Sequence, residues 1–178
     1  GYTPNSVMGI SLQRPDGTMG PVVTMAPQRG LNVARMKVAD YDGDGMADVA
    51  IFRPSTGLWS HCYSYSCHPI DIRNTYWGNS TDRPVPADYD GDGKTDIAVF
   101  PPSEGNWYQF LSSTQTPNIV NWGIATDQPV PADYDGDGRT DVAIFRPSDG
   151  NWWINRSTAG AMVEQFGASE DRPVPGAF

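Results

Sequence analysis

The sequence predicts an all-β fold assembled from repeated four-stranded units, and three observations lead there. First, the string "ADYDGDGKTDIAVF" (residues 87–100) has near copies from Ala39 and from Ala132. Second, Gly (19) and Pro (16) together supply 35 of 178 residues, and no long stretch has helical periodicity. Such a chain reads as short strands joined by turns. Third, a fixed set of strand-like and turn-like segments follows each copy, which is the mark of a repeat architecture.

The elements can be justified in order. Asp40, Asp88 and Asp133 open the three acidic loops, spaced by 48 and 45 residues. Each loop is followed by an apolar run: Val49 to Phe52, Ile97 to Phe100, Val142 to Phe145. A Pro- and Gly-containing turn comes next ("RPSTG", "PPSEG", "RPSDG"), then Trp59, Trp107 or Trp152. A variable hairpin leads to Trp77-Gly78, Trp122-Gly123 or Phe166-Gly167, and "PVPA" returns the chain to the next loop. Each unit therefore reads as strands A ("PVPA"), B ("VAIF"), C (through the Trp) and D (ending at "WG"). Pro84 and Pro86 alternate along strand A, so both remove donors from one edge, which fits an edge strand.

The first 39 residues follow the same template in worn form. "RPDG" (14–17) stands for the turn, Met19 for the Trp, and Gly30 lies ten residues before Asp40. Tyr2 falls in the frame of Tyr41, but the loop carboxylates are missing there. "DRPVPGAF" at the other end reaches the same frame, with Ala177 and Phe178 in place of the loop's Asp and Tyr. The chain is thus expected to be a single domain over 1–178, with units at about 1–39, 40–87, 88–132 and 133–178. Units of this size suit the blades of a β-propeller-like array of four four-stranded blades, about 45 residues each. The C-terminal strand is expected to complete the first blade, either in cis or in a neighbouring subunit.

Charge is unevenly placed. Formal net charge is −9, and the three loops hold 3 × 4 = 12 of the 21 acidic residues. Outside them 9 acids face 10 bases, since Lys94 and Arg139 lie within the loops, so the acidity belongs to the loops. With no basic cluster the chain is not expected to bind nucleic acid. No apolar run reaches the ~18 residues of a membrane span, and no signal-peptide pattern begins it.

Four aspartates in one tight loop repel each other unless a cation joins them. A calcium ion takes about 6–8 oxygen ligands in a flexible shell. Asp at loop positions 1, 3, 5 and 9, with a backbone carbonyl at 7, would supply them. The expected ligands are Asp40, Asp42, Asp44, Met46 and Asp48; Asp88, Asp90, Asp92, Lys94 and Asp96; and Asp133, Asp135, Asp137, Arg139 and Asp141. Met46, Lys94 and Arg139 act through the main chain. An EF-hand would need Glu at position 12, where Ile51, Val99 and Ile144 stand. A solvated acidic turn is the plain alternative, and Mg²⁺ suits the loop less because it prefers a rigid octahedron.

These motifs resemble the FG-GAP/VCBS-type repeats, similar to the calcium-bearing blades of integrin α-subunit propellers. The resemblance is good over about 31–178 and weak before that. It implies a calcium-bound propeller, extracellular, engaged in adhesion or ligand binding and not catalytic.

Other residues carry smaller expectations. "HCYSYSCH" (61–68) holds both cysteines and both histidines. Cys62 and Cys67 flank a four-residue tip, which favours a disulfide over a zinc site or free thiols. The repeated Trp residues are expected in the core, while Trp153 should point away from Trp152 as a candidate surface contact. Arg53 and Arg146 are expected to hold nearby carbonyls or carboxylates. Asn79 and Asn155 head formal glycosylation sequons. No nucleophile–base set is visible, so no enzyme activity is expected. The functional expectation is an extracellular calcium-stabilised structural or adhesion module acting through protein partners or head-to-tail self-association into a ring or filament. The alternative is a glycan-binding propeller lectin.

Overall fold

The structure, a computed structural model, describes residues 8–10, 23–25, 35–64 and 72–174. The worn first unit falls largely outside these residues, as do Cys67, His68, Ala177 and Phe178. Within the first unit β1 (Met8–Ile10) pairs antiparallel with β2 (Val23–Met25).

Three antiparallel four-stranded sheets follow, each a meander of consecutive strands. The first holds β3 (Arg35–Ala39), β4 (Asp48–Arg53), β5 (Leu58–Cys62) and β6 (Arg73–Tyr76). The second holds β7 (Arg83–Pro84), β8 (Ile97–Phe100), β9 (Asn106–Phe110) and β10 (Pro117–Asn121). The third holds β11 (Gln128–Pro129), β12 (Val142–Arg146), β13 (Asn151–Arg156) and β14 (Gly160–Gln165). The order A-B-C-D expected from the repeat is present three times. No helix occurs among the described residues, and none is long and apolar enough to cross a membrane. No ring closure is described.

Strand A starts slightly earlier than the "PVPA" string implies. Arg83 and Pro84 pair with Phe100 and Val99, Val85 N–H donates to Ala98 O at 2.9 Å, and Ala87 bridges to Asp96. Because Val85 N–H faces β8, the alternating Pro84 and Pro86 face the free edge. Proline there leaves no donor for another strand. β3 differs, for Met36 and Val38 occupy those places and keep their N–H groups.

The apolar B strands are buried on both faces because the sheets stack. Period-two alternation sends successive side chains to opposite faces. In β8, Ile97 and Val99 join Tyr41, Phe52 and Trp59 in one core, whereas Ala98 and Phe100 join Trp107, Val142 and Ile144 in the next. β12 repeats this split, with Ala143 and Phe145 in a third cluster alongside Val130 and Ile154. Full burial of one such side chain stabilises the fold by about 1.5–3 kcal/mol.

The tryptophans clasp each unit. Trp59 Nε1 donates to Trp77 O, Trp107 Nε1 to Trp122 O, and Trp152 Nε1 to Phe166 O. Trp77 and Trp122 then donate onward to Tyr108 O and Trp153 O of the next sheet, each at 2.9 Å. Trp59 and Trp107 are fully buried. The turn glycines permit this closeness: a Cβ on Gly105 would lie 2.3 Å from Gly123 O, at a φ of +70° that L residues avoid.

Candidate metal centres in the acidic loops

Each loop folds around its first aspartate. Asp40 Oδ1 accepts from Gly43 N–H at 2.7 Å and Oδ2 from Gly45 N–H at 2.8 Å. Asp88 and Asp133 do the same with Gly91 and Gly93, and with Gly136 and Gly138. Both glycines of the first loop have φ near +80° (81° and 82°), so the chain winds left-handed and turns its carboxylates to one side.

The ninth position is anchored from below. Asp48, Asp96 and Asp141 are buried, and each takes two backbone donors. Asp48 Oδ2 accepts from Tyr41 N–H at 2.8 Å and Oδ1 from Ser64 N–H at 2.6 Å. Tyr89 with Ser112, and Tyr134 with Ser157, repeat the arrangement. Burial pushes the Asp48 and Asp96 carboxyls up to about 6, which the backbone donors oppose and the neighbouring loop carboxylates reinforce.

Three aspartates per loop converge. Asp40, Asp42 and Asp48 each place a carboxylate oxygen within 4.8 Å of the other two; so do Asp88, Asp90 and Asp96, and Asp133, Asp135 and Asp141. Two charges at this separation repel by about 3 kcal/mol at an effective dielectric of roughly 20. In the third loop Asp135 Oδ1 is buried with no hydrogen-bond partner. Convergent, all-oxygen donors with an orphaned carboxylate oxygen fit a hard cation, so these clusters can bind a metal.

Position five stands outside the convergence. Asp44, Asp92 and Asp137 are exposed, and each uses Oδ1 to accept from the N–H of Met46, Lys94 or Arg139. Their Oδ2 atoms accept from Ser64, Ser112 and Ser157 hydroxyls. Those serines were not singled out from sequence, although each follows the ninth-position aspartate by 16 residues. The loops also touch in series: Thr95 N–H donates to Asp40 O and Thr140 N–H to Asp88 O, both at 2.7 Å.

The other sequence candidates are placed as follows. Trp153 points away from Trp152 but is half-buried against the second sheet, with the Arg146 guanidinium 4.9 Å above its ring. Arg146 forks onto buried Asp127 with two bonds of 2.9 Å. Cys62 ends β5 and is buried, and no cysteine among the described residues is free. Cys67, its expected partner, lies outside the described residues. Asn79 is exposed and Asn155 half-buried in β13.

No curated protein and no solved structure matches the chain. A family model described as an FG-GAP-like repeat matches residues 88–144, from the second loop to β12. These residues therefore form an FG-GAP-type repeat, and the chain is consistent with an FG-GAP-type repeat protein.

Proposed function

We propose that the chain is a calcium-stabilised, non-catalytic interaction module of the extracellular space, working through protein–protein contacts. An FG-GAP-like repeat suggests a protein–protein interaction module. The observation that carries the calcium reading is the threefold convergence of aspartates at loop positions one, three and nine. Asp40, Asp42 and Asp48 would hold the ion in the first loop, with the corresponding residues in the others. The ion would supply charge neutralisation and rigidity. A disulfide between Cys62 and Cys67 accords with an oxidising compartment.

Head-to-tail association through the terminal unit is part of the same proposal. Val99 covers Gly78 in the first sheet, and Ile144 covers Gly123 in the second. The corresponding face of the third sheet carries Phe145, Trp152 and Gly167 around an open pocket, with Phe166 76% exposed. A B strand from a further unit, in cis or from a neighbour, would fill it. Thermal unfolding with and without calcium tests the metal; an unchanged melting temperature in chelator rejects it. Sedimentation velocity tests the association; a concentration-independent monomer rejects the intermolecular form.

A further inference from the structure

The cleft between the first and second sheets is built unlike the rest of the stack. Tyr89 and Tyr134 each donate their phenol to the carbonyl four residues earlier, Val85 O at 2.6 Å and Val130 O at 2.8 Å. Tyr41 holds the same loop position, and the corresponding acceptor would be the Lys37 carbonyl. It makes no such bond. Its ring instead lies flat on His61, with centroids 5.1 Å apart and planes 13° from parallel. Gln109 and Ile154 stand at the His61 position in the other repeats, so neither offers a ring to stack upon.

Stacking leaves two polar atoms stranded. Tyr41 is only 6% exposed, and its hydroxyl is buried without a partner; His61 Nδ1 is in the same condition. Native folds retain few such groups, and each one calls for an explanation. Both residues line a cavity of about 300 Å³, large enough for a molecule of monosaccharide size.

The remaining wall narrows the chemistry. Arg73 and Lys94 bring two positive charges, and no carboxylate lines the cavity among the described residues. Lys94 also lies within electrostatic reach of Asp42 at the rim, yet neither cation forms an ion pair among the described residues. Phe110 supplies an apolar surface. Two cations without an ion pair among the described residues, a hydroxyl without a partner and an aromatic wall, beside the neutral polar side chains of Asn74 and Gln115, complement a carboxylate.

We propose that this cleft binds a small carboxylate-bearing ligand, held between Arg73 and Lys94 with one oxygen on the Tyr41 hydroxyl. A free organic acid and an acidic sugar share this chemistry. Isothermal titration calorimetry of the whole chain, in calcium buffer, with sodium lactate, sodium glucuronate and glucose separates them. Glucuronate is expected to bind, with glucose at least tenfold weaker. Lactate binding as well as glucuronate would assign the site to simple carboxylates; glucuronate alone would assign it to acidic sugars.

Tyr41→Phe should weaken the binding acid at least tenfold while leaving the melting temperature unchanged or raised, since the lost hydroxyl had no partner. Arg73→Met should weaken it similarly. Tyr89→Phe is the control: it should lower the melting temperature, by loss of the bond to Val85 O, and leave binding intact. The proposal is overturned if neither acid binds at millimolar concentration, if glucose binds as well as glucuronate, or if Tyr41→Phe leaves affinity unchanged.

Discussion

The second and third sheets share a loop sequence, a B strand and an indole clasp, yet they sit in different surroundings. β8 is buried on both faces, between the core of Phe52 and Trp59 and that of Trp107 and Ile144. β12 has a neighbour on one side only among the described residues, and Trp152 is half-buried where Trp107 has no exposure. Phe166 replaces the tryptophan that would donate to a following sheet, so the last clasp ends without an onward hydrogen bond. Local sequence therefore shapes each unit, while the stability of that unit is conferred by its neighbours. Repeat arrays behave this way because intrinsic and nearest-neighbour contributions are separable.

Metal removal should give the largest effect and should strike both sheets alike, because their loops are alike. At free calcium a hundredfold above the dissociation constant each site contributes about 2.7 kcal/mol, roughly 8 for three independent sites. Thermal unfolding in chelator checks this, and per-repeat hydrogen exchange should show protection falling in both sheets. The covered face comes next. Trp107→Ala is expected to cost about 3–5 kcal/mol, and Trp152→Ala less than about 2. Equal losses in chemical denaturation would erase the distinction between inner and outer units.

Arg146→Met should follow, at about 3 kcal/mol, because it strands the buried Asp127 charge. The second sheet has no such pair among the described residues: Pro101 stands where Arg146 does, and the equivalent Asp82 is held by Asn79 N–H at 2.8 Å and by the Thr81 side chain. Replacement of Asp82 by Asn should therefore be milder than Arg146→Met in the same denaturation series. A pH series gives a smaller effect. Carboxyls raised to about 6 stabilise the metal-free fold below the usual carboxylate value, and that contribution is lost as pH rises through about 6. A calcium ion bound as proposed would have to displace those protons, so a calcium-induced rise in melting temperature should grow between pH 5 and pH 7. A rise that is flat with pH would count against Asp48 and Asp96 as ligands. The smallest expected change is Phe166→Ala, within about 0.5 kcal/mol for the monomer. A larger loss would mean that the open face is covered in solution.

Much of the fold was legible because repetition multiplies weak signals. "VAIF" alone could be any buried strand; three copies between an acidic loop and a tryptophan turn define a B strand. The loop was legible for the same reason, down to the positive-φ glycines. Position five was not, since its role depends on Ser64, Ser112 and Ser157, which arrive from another turn. The recurring 16-residue interval was a signal that alignment of the repeats contains. Trp153 follows the strand alternation as expected, but what it faces is set by the neighbouring sheet. Tyr41 was illegible in a different sense. Its loop matches the other two, yet its ring stacks on His61, two strands away in the sequence order, and its hydroxyl makes no hydrogen bond.

The bonds from Thr95 to Asp40 and from Thr140 to Asp88 have a consequence for communication along the chain. In each, the residue just before a ninth-position aspartate is tied to the first aspartate of the preceding loop. Adjacent acidic loops thus share a backbone reference point, through which a displacement in one would reach the next without passing through a side chain. Occupancy would then propagate as alignment, one loop setting the frame in which its successor closes.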